Sequence, residues 1–310
     1  MDKRVALAID VGGTKIAGGM IAADGMVVSS LVRTVPRSGI LADSDLKETI
    51  DVARHLALEL GEGEFIGVGL GVGVPEYVDR SGSVTSREVI GWSAQPRDEL
   101  EQFAPSGRCI VESDVRCGAI AESMLGAGRG IANFLYVSLG TGLSSTMVIG
   151  GEPWPGSRGE AIALGEFRCE AGDARSERLE DRASGFAMAN RFAAVRGTEP
   201  SDARHVIERA DAGDDDAVQI VSTAADALAG GLANVVAVMD PALIVLGGGL
   251  GQANGGFHDR LFATYRGVVG RRAAPPSIVR AHTGAAAGLI GAGLIAWRAA
   301  PEMQWTIAFP

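Results

Sequence analysis

Apolar residues in the first 34 positions fall into short β-rich runs at 5–9, 15–21 and 26–33, with Ala23-Asp24-Gly25 as a turn, which predicts three strands of an antiparallel meander. Leu46, Ile50, Ala53, Leu56 and Leu60 then recur near helical spacing and predict an amphipathic helix over 43–60. Residues 65–74 form a continuous apolar run threaded with glycine, the pattern of a buried parallel strand with closely packed neighbours. A loop opens at Pro75, a short helix starts near Pro96, and a strand at 108–112 leads into a helix at 115–125 with Ser113 or Asp114 in the capping position. Strands at 134–138 and 146–149 flank Leu139-Gly140-Thr141-Gly142-Leu143, so the opening arrangement of strand, glycine turn and strand occurs twice. Helices are expected at 179–196, 202–212, 215–238, 257–266 and 284–299, with strands at 242–246 and 277–281 and a tail at 301–310.

The two glycine turns give this pattern its chemistry. Asp10 ends the first strand and Val11-Gly12-Gly13-Thr14-Lys15 follow. Without Cβ atoms, Gly12 and Gly13 can take positive φ, and their amides can approach an anion closely. Thr14 and Lys15 add a hydroxyl and an ammonium, and Asp10 sits where a strand end can hold a hydrated metal ion. Phosphate suits such a turn, although four residues alone also read as an ordinary hairpin. Gly247-Gly248-Gly249 marks a third strand end at which a nucleotide could sit.

Composition narrows the choice. The 310 residues suffice for two domains, and 38 acidic against 28 basic residues leave no basic footprint for nucleic acid. Cys109, Cys117 and Cys169 are too few and too irregular for a disulfide framework or a zinc ribbon. The first residues lack a signal-peptide core, and apolar runs are broken by glycine or charge before reaching membrane-spanning length. A cytoplasmic protein with no membrane partner is expected.

Read together, several segments resemble the ROK family of sugar kinases, repressors and open reading frames. They are Ile9–Lys15, Gly71-Val72-Gly73-Val74-Pro75, Val111-Glu112-Ser113-Asp114, Ser138-Leu139-Gly140-Thr141-Gly142, Asp240-Pro241 with Ile244–Gly249, and Ala285–Ala292. The resemblance implies an α/β, two-domain, actin-like ATPase (ribonuclease H-like) fold with an interdomain cleft. Residues 1–113 plus a C-terminal helix at about 288–310 would form the smaller domain, and 114–287 the larger. It implies ATP and Mg²⁺, with Asp10, Gly12, Gly13, Thr14 and Lys15 at the β/γ-phosphates and magnesium held by Asp10 through water. Gly140, Thr141 and Gly142 would grip phosphates from the other domain, and Gly247, Gly248 and Gly249 would lie near the adenosine. Asp114 aligns with the family's catalytic base, which takes the proton of an attacking hydroxyl. A homodimer is also expected.

The departures concern the acceptor. Ser113 stands where glucose-type members carry asparagine, and Glu76 follows Pro75 where they carry glycine. Ala163 and Glu166 replace the glutamate and histidine of the family's Gly-Glu-Ile/Leu-Gly-His segment, and the cysteine run that completes its structural zinc site is absent. Pro75, Glu76, Ser113, Asp114 and Glu166 are therefore the candidate substrate-binding residues, and no zinc site is expected. Loss of hydroxyl partners rejects the original polyol. The expected activity is an ATP-dependent kinase for a modified sugar, such as a C7-cyclitol or an amino sugar, rather than glucose. The alternatives are an ordinary hexose or N-acetylhexosamine kinase, and a non-catalytic sugar-sensing member. The intact phosphate turns, and the lack of a helix-turn-helix pattern ahead of Asp10, speak against the last.

Overall fold

A computed structural model describes residues 2–35, 37–38, 41–170, 176–200 and 202–301. The expected tail lies outside the described residues from position 302 onward. The chain forms two compact units, one of Met1–Ala132, Val148–Ile162 and the residues from Ala285, the other of Asn133–Met147 and Ala163–Gly284.

The first unit is built on a five-stranded sheet in the order Val27–Thr34, Lys15–Ile21, Arg4–Val11, Ile66–Val74, Cys109–Ser113. The meander strands pair antiparallel and the remaining pairs are parallel. Helix Lys47–Glu62 turns Val52, Ala53 and Leu56 inward, as its periodicity requires. The alternating glycines of Ile66–Val74 have a packing cause. A Cβ on Gly71 would stand 1.8 Å from the Ala292 carbonyl oxygen, so helix Ala287–Arg298 lies directly on the strand. The same helix meets Asp114–Leu125 backbone to backbone, since a Cβ on Gly291 would stand 1.9 Å from the Cys117 carbonyl oxygen. That contact places Asp114–Leu125 in the first unit and moves the first boundary from the expected 113/114 to 132/133.

The second sheet runs Glu152–Pro153, Leu143–Ile149, Phe134–Leu139, Leu243–Gly247, Ser277–Arg280. Strand for strand this is the order of the first sheet, three chain-consecutive strands followed by two parallel neighbours, so the recurrence seen in sequence is a repeat of topology. Helix Asp215–Met239 is long and apolar enough to cross a membrane by length and composition. Here Val221, Ala224, Leu228, Leu232 and Val236 belong to the core of the second unit. Its outer Asp226 accepts hydrogen bonds from Arg260 Nε and Nη2, both at 2.7 Å.

Two expected elements differ. The helix expected over 179–196 is two, Glu180–Ala183 and Gly185–Arg196, because Ser184 is extended and its hydroxyl caps the second helix by accepting from Ala187 N at 3.1 Å. The Gly247–Gly251 turn contains one helical turn, Gly248–Gly251.

Candidate functional site

Two carboxyls and two glycines form the centre of the first unit. Asp10 lies near the end of Arg4–Val11, and Asp114 opens the helix after Cys109–Ser113, two strands away. Gly73 lies on the strand between them, and a Cβ there would come within 3.6 Å of both Asp10 Oδ1 and the Asp114 Cα. Gly288, in the first turn of Ala287–Arg298, closes the other side. Its Cβ would stand 2.6 Å from Asp10 Oδ2, so only glycine leaves room for that carboxyl. Enclosure by protein raises Asp10 to about 6 against the weaker opposing pull of Lys15. Asp114 rises to about 7, chiefly through desolvation and then through the charge of Asp10.

The turn after Asp10 closes with the Gly12 amide donating to the Lys15 carbonyl oxygen at 2.9 Å. Neither Gly12 nor Gly13 takes the positive φ that the sequence allowed for. Gly12 is needed instead for closeness, since a Cβ there would stand 3.0 Å from that same oxygen. Thr14 and Lys15 are exposed.

Glu76 does not behave as a ligand grip. It is 3% exposed, and its carboxylate accepts from the amides of Glu88 (2.9 Å), Val89 (2.7 Å) and Ile90 (2.9 Å) and from the Ser86 hydroxyl. It is an internal anion that organises the 76–90 loop, and its acceptor capacity is spent there. Pro75 leads directly into this loop. Ser113 occupies the cap position of Asp114–Leu125 but makes no cap bond, and its hydroxyl is buried with no partner among the described residues. Asp114 serves the helix start instead, accepting from the Val115 amide at 2.6 Å.

Arg116 escaped the sequence reading. It is 1% exposed, and its guanidinium ties together three segments. Nε donates to Glu112 Oε1 at 2.7 Å, Nη1 to the Gly159 carbonyl oxygen at 2.9 Å, and Nη2 to the Val78 carbonyl oxygen at 2.6 Å. Gly159, at φ +86°, packs against Val78, and Arg80 Nη2 adds a bond to the Gly156 carbonyl oxygen at 3.1 Å. The loops around Asp114 are thus pinned to one another. The usable signal was the oppositely charged Glu112 four residues before Arg116, with apolar runs on either side of the segment.

In the second unit, Gly140 N donates to the Gly142 carbonyl oxygen at 3.0 Å. The amides of Gly185 and Phe186, at the start of their helix, donate to the carbonyl oxygens of Gly140 (2.8 Å) and Thr141 (3.1 Å). Glu180, also unforeseen, accepts from the Leu143 amide at 3.1 Å, and Gly142 leaves room for it, since a Cβ there would stand 2.7 Å from Glu180 Oε1. Gly248 takes φ +80°, and a Cβ there would stand 2.3 Å from the Leu139 carbonyl oxygen, so the two glycine turns of this unit adjoin. Next to Gly249 opens a cavity of about 380 Å³, with Arg204, Ile207, Asp211, Gln252 and Asn254 in its wall.

Glu166 belongs to the second unit, where it is exposed and paired with Arg178 Nη1 at 2.8 Å. Arg178 also holds Asp181, while Glu177 holds Arg182 and Arg191. These ion pairs surround the Arg168–Glu170/Ser176–Arg178 hairpin, where the Cys169 thiol points to the Glu177 carbonyl oxygen at 3.7 Å.

Two sheets of the same strand order, each with a glycine turn joining its first two long strands, define the actin-like, two-domain α/β kinase fold. Within it, the chain belongs to the ROK family, which it matches over residues 6–299. It is 38% identical over 183 residues to the bifunctional enzyme NanE/NanK of Brucella suis, a match that covers 58% of this chain and 33% of that protein. The chain therefore spans about a third of that relative's length. Among solved structures it is similar to a ROK hexokinase from Thermus thermophilus, with 30% identity and a TM-score of 0.78 over 95% of this chain and 98% of that one. It is also similar to a ROK family glucokinase from Streptomyces griseus in complex with glucose and AMPPNP, with 26% identity and a TM-score of 0.74 over 95% and 99% of the two chains.

Proposed function

We propose that this chain is an ATP-dependent kinase that transfers a phosphoryl group to a hydroxyl of a sugar-like polyol, with Asp114 as the general base. The observation that carries the reading is the Asp114 carboxyl itself, which opens a helix two residues before the Arg116 that anchors that helix to the Val78 and Gly159 carbonyls, and is raised to about 7. An alcohol is a poor nucleophile, and a carboxyl that titrates near neutrality is suited to take its proton as it attacks. The glycine turns at Gly12–Lys15, Gly140–Gly142 and Gly247–Gly249 are the phosphate and nucleoside supports in this reading, and transfer then depends mainly on positioning and charge neutralisation. Asp10 fits magnesium: it is a hard oxygen donor whose enclosed charge a cation would stabilise, and magnesium takes most of its ligands from water and phosphate. When bound, the ion would neutralise phosphate charge, while Asp10 itself holds a fixed place against Gly288.

For the acceptor, we favour a modified sugar, a cyclitol or an amino sugar, over glucose. Support comes from what the sequence lacks, namely the asparagine amide at Ser113 and the glutamate and histidine hydroxyl partners at Ala163 and Glu166. Glu76 and Glu166 are engaged elsewhere and do not enter the argument as grips for an amine. An ordinary hexose or N-acetylhexosamine kinase is the second reading, favoured by the hexokinase and glucokinase among the similar structures. A coupled ADP-release screen over glucose, mannose, N-acetylhexosamines, amino sugars and C7-cyclitols decides between them. Turnover confined to cyclitols or amino sugars supports the first, turnover of glucose or an N-acetylhexosamine the second, and no turnover with bound Mg-ATP points to a sensor. Light scattering on the same sample tests the expected homodimer.

A further inference from the structure

Arg116 is buried in the first turn of the helix that Asp114 opens. A buried guanidinium persists only where its donors are met, and here three separate segments of the first unit meet them. Nε and Nη2 both approach Glu112 Oε1, at 2.7 Å and 2.6 Å, and that oxygen also accepts from the Ser113 amide at 2.7 Å. The planar fork is thereby fixed against the end of its own strand. Its outer donors reach the carbonyl oxygens of Val78 at 2.6 Å and Gly159 at 2.9 Å. Val78 comes two residues after Glu76, the anion that gathers the amides of 88–90, so the fork grips that loop at its root. A Cβ on Gly159 would stand 2.0 Å from the Val78 carbonyl oxygen, so the two loops touch at the gripped point.

We propose that Arg116 is a positioning residue for the transfer: it holds the loops of Val78 and Gly159 at a fixed distance from the first turn of the base helix, and so sets where an acceptor hydroxyl meets Asp114. The proposal rests on the kinase reading and adds to it the part that aligns the acceptor. Beyond desolvation, the charges acting on Asp114 are those of Asp10, Glu76 and Arg116, so the loop root, the fork and the base lie within electrostatic reach of one another. A base works only on a hydroxyl brought within hydrogen-bond reach, and a misplacement of about 1 Å costs on the order of a hundredfold. The shape of the fork carries this role more than its charge does. Lysine keeps the charge, but its ammonium is a single point on a flexible stem and does not hold Glu112 and both carbonyls at once. Arg80 is a second, outer tie between the same loops, with Nε and Nη2 donating to the Gly156 carbonyl oxygen at 3.2 Å and 3.1 Å.

The test is steady-state kinetics of the full chain with Mg-ATP, with glucose, mannose, N-acetylmannosamine, glucosamine and a C7-cyclitol each offered as acceptor. In Arg116→Lys, acceptor KM is expected to rise and kcat to fall, by about tenfold each, while the KM for ATP stays unchanged. Arg80→Ala, at an exposed site, should raise acceptor KM by about threefold with the KM for ATP again unchanged. It decides the matter if circular dichroism finds Arg116→Lys unfolded. A merely structural Arg116 would lower Tm and the active fraction, hence kcat, and leave both KM values as they were. That pattern, or wild-type kinetics in folded Arg116→Lys, overturns the proposal and leaves the kinase reading standing. With Arg116→Lys unfolded, an unchanged acceptor KM in Arg80→Ala does the same. A wild-type chain that releases no ADP with any of these acceptors overturns both.

Discussion

The charge on Asp10 helps to hold the proton on Asp114. Asp10 lies near the end of its strand and Asp114 directly follows another strand of the same sheet, with a single strand between the two, and Asp10 is the largest contributor after desolvation to the upward shift of Asp114. Whatever neutralises Asp10 therefore frees Asp114 to act as a base at lower pH.

The pH dependence follows in sign. kcat/KM for ATP, which reports the free protein, should rise as pH climbs through about 7, where Asp114 loses its proton, while kcat with a cation at Asp10 should rise at lower pH. A kcat/KM profile that is flat from pH 5 to 8 would remove Asp114 from the base role. Stability should move the opposite way. Both groups titrate above their ordinary value of 3.8 when folded, so their contribution is complete below about pH 4 and is lost as pH rises through about 6 and about 7. Asp114→Asn should lower kcat by roughly two to four orders of magnitude while nucleotide still binds, and should raise Tm at pH 8 by a few degrees.

Gly288→Ala tests the seat of Asp10. A methyl group 2.6 Å from Oδ2 must displace the carboxyl. A shift of about 1 Å at a reacting centre costs on the order of a hundredfold in rate, so kcat should fall to that extent with a smaller loss of Tm. Wild-type activity in this variant would mean that the position of Asp10 is unimportant.

Glu76→Gln tests whether the 76–90 loop depends on its internal anion. The substituted amide offers fewer acceptors to three backbone N–H groups and a hydroxyl, and the loss should be about 2–4 kcal/mol in a denaturant titration. Acceptor KM should rise several-fold while the KM for ATP stays unchanged. A raised ATP KM with an unchanged acceptor KM would assign the loop to the other substrate.

The Arg168–Glu170/Ser176–Arg178 hairpin should not require zinc. Metal analysis of purified protein is expected to find no stoichiometric zinc, and a chelator should leave Tm unchanged. Arg182→Ala should lower Tm modestly, because the pair it removes is partly buried. A drop in Tm with chelator would reveal a ligand set beyond Cys169.

Much of the architecture was legible because it is written in periodicity. The meander, the glycine-threaded strand 66–74 and the repeated strand, turn and strand could be read from alternation and glycine alone. Asp10 and Asp114 were singled out by resemblance, and both are enclosed beside Gly73 in the first unit. The long-range contacts were not. Glu76 read as a loop carboxylate near a pocket, because sequence does not show that the amides of 88–90 fold back onto it. Arg116 bonds to Val78 and Gly159, 38 and 43 residues away, and neither partner is a side chain, so no pairing of residue types announces it. The boundary after 113 looked natural at a strand end, but the contact of Gly291 with Cys117 carries the following helix into the first unit.

The Arg116 clamp also bears on how substrate range can change in this lineage. One side chain holds the carbonyls of Val78 and Gly159 together with the carboxylate of Glu112, so the loops carrying Val78 and Gly159 are mechanically a single part. A substitution that reshapes one loop strains its neighbour through a buried, charged hub that cannot be given up without leaving Glu112 bereft of its counterion. Under the proposed function, a new acceptor would require the two loops to be exchanged as a set, and grafting one loop from a relative should fail where grafting both succeeds.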